Sequence, residues 1–436
     1  MTDSANLREL VLGLLLQITR DGEYSHLAIS AVLQKYQYLD KKERAFITRV
    51  TEGTLEHMIE LDYIINHFSN TKVNKMKPVI RCILRSSVYE LKYMDAIPAS
   101  ATCNEAVKLV KKKGFQNLTG FVNGVFRNIS RNLEQIEYPT READPIVCLS
   151  VRYSMPEWII RQWLETYPEE TVERMLESFL KETPISIRTN LTKITPEELQ
   201  KELEQDGITL TQSRDLPYAF QITGGLDYLN SLPAFQRGLF YVQNVSSMQV
   251  AEAADPKEGD YVMDVCAAPG GKSIHIAEKL HGTGHVDARD LTEYKVNLIT
   301  QNIDRCGVGN MTARCQDARV LDENSLGKAD IVIADLPCSG LGVMRRKKDI
   351  RYKMTLEKQK ELVLLQREIL KTVHQYVRPG GKLIYSTCTI SEAENRGNMD
   401  WFLKEFPEYT CEFSRQILPL DEESDGFYIA KLMKKQ

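Results

Sequence analysis

Asp264-Val265-Cys266-Ala267-Ala268-Pro269-Gly270-Gly271-Lys272-Ser273 lies between an apolar run ending at Cys266 and a helical pattern opening at Lys272. Glycines at a strand-to-helix turn let the backbone come close to a ligand, and the start of the helix offers unpaired N–H groups. Working outward, strands are predicted at 261–266, 285–290, 311–317, 329–335 and 382–388, and helices at 272–281, 292–306, 355–377 and 392–405. A hairpin at 409–417 and 426–433 closes the chain. Strands alternating with helices specify an α/β, Rossmann-like doubly wound sheet, whose ligand lies beyond the carboxyl ends of the strands.

Three ligand classes could use the glycine turn. A phosphate-binding Walker A loop needs a glycine where Cys266 stands, and the Gly-x-Gly-x-x-Gly dinucleotide fingerprint is absent. A nucleoside without a pyrophosphate remains. Asp290 ends the second strand about 20 residues past the glycines, where a carboxylate can accept from both ribose hydroxyls. Gln316-Asp317 ends the third strand, suited to an adenine amine. Any one such acid could instead cap the next helix; acids at successive strand ends favour a site.

The fourth strand ends in Asp335-Leu336-Pro337-Cys338-Ser339-Gly340 and the fifth in Tyr385-Ser386-Thr387-Cys388-Thr389. A lone cysteine is usually a small buried hydrophobe. Two at strand mouths, with no His or further Cys at ligand spacing, point away from a metal and toward nucleophilic catalysis. Arg345 to Lys353 carries six basic residues and one acid, and is expected to hold a phosphate backbone while a base enters the pocket.

The 436 residues suggest about three domains. With 42% hydrophobic and 27% charged residues, disordered and membrane classes are disfavoured. Leu10 to Ile18 is an amphipathic helix face, not a signal peptide, and no run reaches the roughly 20 apolar residues that span a bilayer. Nine cysteines without a C-x-x-C, and a net charge of −4, indicate neither a disulfide framework nor a uniformly basic protein; a reducing cytoplasm is expected.

Residues 1–138 are predicted as a helical domain, 145–235 as a small mixed α/β domain and 236–436 as the Rossmann-like domain, with a proline-marked linker between the first two. Helical patterns cover 7–18, 26–36, 42–68, 73–94, 101–113 and 118–133. Between Thr71 and Arg131 twelve basic residues face three acidic ones, densest at Lys111-Lys112-Lys113, which suits phosphate binding. The middle segment contains a helical stretch from Pro156 to Leu180, strands at 185–190, 208–210 and 219–222, and a helix at 195–205.

The motifs DVCAAPGGK (264–272), DLPCSG (335–340) and YSTCT (385–389) resemble those of the RsmB/Sun-type RNA (cytosine-5)-methyltransferases. The helical start is similar to the NusB-like RNA-binding domain of the bacterial 16S rRNA members, and the middle segment is RRM-like. The resemblance implies S-adenosylmethionine as cofactor, held by Cys266, Ala267, Ala268, Pro269, Gly270, Gly271, Lys272, Asp290, Asp317 and Asp335. It implies Cys388 as nucleophile, Cys338 as helper in release and Asp335 at the catalytic centre. The implied partner is 16S rRNA, naked or in an early assembly intermediate, with neither metal nor membrane.

In the strand order common to such methyltransferases, the fourth strand lies between the first and fifth, so both thiols face one crevice. Spacing does not rank them, since DNA cytosine methyltransferases use a Pro-Cys nucleophile, here Cys338. Leu336 replaces the family's usual alanine. Methylation of tRNA or 23S rRNA, a non-catalytic RNA-binding assembly factor and, more distantly, a P-loop ATPase stand as alternatives.

Overall fold

A computed structural model describes residues 6–225, 229–421 and 423–436, which form two compact units. The first comprises residues up to Leu180 together with Arg346–Lys353. The second comprises Lys181–Arg345 and Met354–Gln436.

The first unit is helical. Its opening helix, Leu7–Thr19, starts where the Asn6 side chain accepts from the Glu9 N–H, and it buries Val11, Leu12, Leu14, Leu15 and Ile18. The single helix expected over 42–68 is two, Lys41–Glu56 and Met58–Phe68, divided at His57. The Ser154 hydroxyl accepts from the Ile59 N–H, satisfying a donor that a continuous helix would have spent on its own ladder.

The expected linker also carries structure. Pro145–Tyr153 is a helix, capped by the Asp144 carboxylate with Pro145 at its first position. A proline there costs no hydrogen bond, so it marks a helix start as readily as a linker. With Glu157–Leu164 and Glu169–Ser178, this helix belongs to the first unit.

Arg346–Lys353 was expected as an open basic loop; instead it is built into the helical unit. Asp349 accepts from both the N–H and hydroxyl of Ser25. Lys348 pairs with Glu56, Arg351 is 0% exposed with its guanidinium on the Ser154 carbonyl, and Lys353 pairs with Asp349 at 2.6 Å. Of the basic residues in the expected loop, only Lys347 is exposed. The single acid of the run, Asp349, joins it to Ser25 and pairs with its own Lys353.

The second unit holds two sheets. Strands β1 (Ile185–Thr189), β2 (Thr209–Gln212), β3 (Ala219–Gly224) and β4 (Phe240–Val242) form a small antiparallel sheet ordered β2-β3-β1-β4. Three-residue β4 is too short to read from periodicity.

The larger sheet contains β5 (Tyr261–Asp264), β6 (His285–Asp290), β7 (Met311–Cys315), β8 (Ala329–Asp335), β9 (Val377–Thr387), β10 (Tyr409–Ile417) and β11 (Phe427–Lys434). Its order is β10-β11-β9-β8-β5-β6-β7. The β5, β6, β7, β8 and β9 pairings are parallel, whereas β11 runs antiparallel to β9 and β10 to β11. The expected neighbours, first with fourth and fourth with fifth, are therefore present. Val262, Ile331, Ile333 and Ile384 lie in the core over one face, and Met263, Val332, Leu383 and Tyr385 in that over the other.

In the helical unit, Glu60 accepts from Lys92 at 2.6 Å and from Tyr93, with His57 at 3.4 Å. Burial pushes its carboxyl up, but these partners prevail and hold it down at about 2, from the usual 4.5. Its stabilising contribution is complete above pH 4.5 and is lost as pH falls toward 2. Unfolding of Glu60→Gln followed over that interval should therefore depend less steeply on pH than that of the parent; equal slopes would contradict the assignment.

Candidate active site

The turn after β5 is organised by its own acid. Asp264 accepts from the Cys266 N–H at 3.3 Å and from the Ser273 hydroxyl, tying both ends of the glycine turn together. Complete burial, reinforced by the Asp335 charge, pushes its carboxyl up to about 7. Gly270 enters the helix Gly271–Lys279 at φ +104°, a conformation that favours glycine.

Part of the N–H set of this turn is taken up within the protein. Ala267 donates to the Arg289 carbonyl, Ala268 to Asp290 at 2.9 Å and Gly270 to the Ala267 carbonyl. Cys266 at the first glycine position is what separates this turn from a Walker A loop.

Asp290, at the end of β6, also accepts from the Leu291 N–H at 2.7 Å and pairs with Lys295 at 2.9 Å. Three of a carboxylate's roughly four acceptor sites are thus occupied. Leu291 beside it is 53% exposed, an apolar surface that sequence reasoning missed. Asp317 lies beyond the end of β7 and is held by Arg319, which donates to both its oxygens; that hydrogen bonding lowers its carboxyl.

The ends of β5, β8 and β9 converge. Lys272 pairs with Asp335 at 2.7 Å, and Asp335 accepts from the Ser386 hydroxyl at 2.7 Å. Burial works to lower the Lys272 ammonium, but the Asp335 and Asp264 charges outweigh it and keep it protonated. The Cys338 and Cys388 sulfurs are 3.3 Å apart. The Cys388 contact, with burial added, holds Cys338 well above the ordinary thiol range. Cys266 is likewise kept neutral, by burial and the surrounding aspartates.

Two glycines let the surrounding loops interlock. A Cβ on Gly342 would stand 1.9 Å from the Gly426 carbonyl oxygen, and one on Gly426 2.5 Å from Ile390. The Gly342 N–H donates to the Cys388 carbonyl, and the Gly426 N–H to the Gly342 carbonyl. Beneath them lies Glu394, fully buried and bonded to Ser339, Gln359 and Gln366. Sequence reasoning placed residue 394 in a helix over 392–405; that helix starts only at Arg396, because the polar groups of Glu394 and Asn395 are engaged in bonds outside it. An acid two residues from another acid resembles a helix N-terminus, and nothing local signals its burial.

The small sheet supports the glycine turn from behind. Arg188 of β1, 0% exposed, donates to Glu278 at 2.9 Å and to the Gly271 carbonyl at 3.2 Å. The Tyr241 hydroxyl of β4 donates to the Pro269 carbonyl at 3.1 Å. Among the described residues no group of three or more His, Cys, Asp or Glu could hold a metal ion, and no helix is long and apolar enough to cross a membrane.

The family model for 16S rRNA methyltransferase RsmB/F matches residues 251–433, that of the NusB family residues 5–131 and that of an RsmF/B-like ferredoxin-like domain residues 155–228. The chain is 34% identical, over 99% of each sequence, to the probable ribosomal RNA small subunit methyltransferase B of Bacillus subtilis. The crystal structure of PH0851 is similar with a TM-score of 0.83 and 25% identity over 99% of both chains. NSun6 from Pyrococcus horikoshii with SFG matches with a TM-score of 0.59 and 25% identity, over 64% of this chain and 98% of that one.

Truncating Arg188 leaves the Glu278 carboxylate buried without its cation. Arg188→Ala is expected to cost about 3–5 kcal/mol in the second unit's stability. Urea unfolding followed in that unit checks this, and a cost under about 1 kcal/mol would show that the pair is dispensable.

Proposed function

Because the chain belongs to the RsmB/F family of 16S rRNA methyltransferases, we propose that it methylates C5 of a cytosine in 16S rRNA, from S-adenosylmethionine, through a covalent cysteine adduct. The observation that carries this reading is the thiol pair, 3.3 Å apart, at the ends of neighbouring strands that also bring Asp335 against Lys272.

The residues after β5 and β6 fit a nucleoside cofactor. Asp290 retains acceptor capacity for a ribose hydroxyl, and Leu291 offers an apolar face for a base. Asp317 contributes only if its bonds to Arg319 rearrange. When bound, S-adenosylmethionine supplies an electrophilic sulfonium methyl group.

Cytosine C5 is a poor nucleophile. Attack of the Cys388 thiolate forms a sulfur–C6 bond and shifts an electron pair toward C5, dividing one hard step into two. Asp335 accepts from the N4 amine edge, and the Lys272 ammonium beside it supplies positive charge where the ring gains negative charge. After C5 is methylated, loss of its proton to a base re-forms the double bond and expels the Cys388 thiolate. Cys338, held protonated beside that sulfur, donates a hydrogen bond to the departing thiolate.

We expect Cys388→Ala to abolish methyl transfer, and Cys338→Ala to accumulate protein covalently attached to RNA. Labelled methyl transfer to unmethylated 16S rRNA, with denaturing gels for the adduct, reads both; reversed phenotypes would exchange the roles.

The helical unit is assigned to RNA binding, but not chiefly through Lys111–Lys113: Lys112 and Lys113 both pair with Glu9, at 2.6 and 2.7 Å. Exposed Lys72, Lys75 and Lys77 lie on the segment after Met58–Phe68, and Asn128 bonds to the Phe68 carbonyl, bringing the helix of Arg127 and Arg131 beside it. Neutralising Lys75, Lys77, Arg127 and Arg131 should lower the slope of log affinity against log salt, by about 0.7 per lost phosphate contact, more than neutralising Lys111–Lys113. An equal or smaller change would return the interface to the lysine triplet.

A further inference from the structure

Resting on the assignment of Cys338 and Cys388 to the chemistry, we propose that Glu394 is a positioning residue that sets the spacing of the two thiols. Its side chain reaches neither sulfur by hydrogen bond; it acts through the residues that follow them.

The Ser339 N–H donates to Glu394 Oε2 at 2.9 Å, and the Ser339 hydroxyl donates to Oε1. Ser339 follows Cys338 directly. Its hydroxyl oxygen also lies 2.7 Å from that of Thr389, which follows Cys388 directly. Because the single Ser339 proton goes to the carboxylate, the Thr389 hydroxyl is the donor between the two. A chain of three oxygens therefore runs from Glu394 through Ser339 to Thr389 and links the two cysteine-bearing loops.

The far side of the carboxylate is equally fixed. Gln359 donates to Oε1 at 3.3 Å and Gln366 to Oε2 at 3.0 Å, and Gln366 also donates to the Pro337 carbonyl at 2.8 Å. The Glu394 carbonyl accepts from the Tyr385 hydroxyl and from Asn398 at 3.2 Å. Among the described residues no lysine or arginine pairs with the Glu394 carboxylate. A buried carboxylate without a counter-ion is costly, and only its four donors offset that cost. A neutral amide of the same shape cannot take its place: it keeps one acceptor oxygen and turns an NH2 group toward donors.

This arrangement makes the thiol pair rigid where precision counts, since misplacement by about 1 Å can cost roughly a hundredfold in rate. The thiols at 3.3 Å share a hydrogen bond, so they titrate as a unit and not as two independent groups. Loosening either arm of the Ser339 link separates them.

The test uses the full-length protein and the variants Glu394→Gln, Ser339→Ala and Thr389→Val. The last two remove only a hydroxyl from the link, which keeps the proposal testable if the first folds poorly. Methyl transfer to 16S rRNA should show kcat reduced about a hundredfold in Glu394→Gln and about tenfold in the others, with KM for cofactor and RNA within about twofold of the parent. In the free protein, the rate of Cys388 alkylation by iodoacetamide against pH should change from the two-step profile of a coupled pair toward a single step. Unchanged kcat and an unchanged alkylation profile overturn the proposal. So does a loss of apparent kcat that disappears once the rates are normalised to the folded fraction of each variant. If the parent itself transfers no methyl group while the variants still alter the alkylation profile, the positioning role stands and the methyl-transfer reading fails.

Discussion

Parallel pairing of β5, β8 and β9 is the constraint from which the site follows. Val262, Met263 and Asp264 lie opposite Ile331, Val332 and Ile333, and Asp335 opposite Ser386, so the three chains leave the sheet close together on the same edge. Parallel strands need crossovers that return to the opposite end of the sheet, which leaves their carboxyl ends free for loops. The acid of β5 is spent on holding its own turn, that of β8 faces Lys272, and the chain beyond β9 delivers Cys388 against Cys338. A one-residue slip between β8 and β9 would invert Asp335 relative to Ser386 and separate the groups that now meet.

Much of this was legible in the residues. Strand-then-glycine punctuation located β5, β6, β8 and the final hairpin to within a few positions, because apolar runs bounded by Gly, Pro and Asp carry a local signal. The two cysteines could be placed at neighbouring strand mouths because strand order in such sheets is restricted. Glu394 could not: its environment is built from Ser339, Gln359 and Gln366, between 28 and 55 positions away. Arg351 and Tyr352 were unreadable for the same reason, since a basic run looks alike whether it is solvated or buried against carbonyls. Pro145 misled in a different way, as the same residue type breaks a helix or begins one.

Buried charge in the second unit is concentrated where loops must hold still. Arg188 binds Glu278 and the first carbonyl of the glycine-turn helix, Arg289 is enclosed with Asp287 and Ser325 near the carboxyl end of β6, and Glu394 is buried against Ser339, the residue after Cys338. None is an economical way to stabilise a domain, since well-packed apolar side chains often do as well. What such groups contribute is direction: a carboxylate with four fixed donors tolerates few rotamers, whereas a leucine in the same space tolerates several.

Residues 346–353 bear on how this chain could have been assembled in evolution. Eight residues encoded far downstream, inside the span of the larger sheet, supply Arg351, Tyr352 and Asp349 to the interior of the helical unit. A gene fragment stopping at position 180 would encode a bundle missing part of its own filling, and a sheet domain transplanted alone would carry a charged tongue with nowhere to lodge. Recombination that treats the two units as exchangeable cassettes therefore has to recut residues 346–353 together with the helical unit.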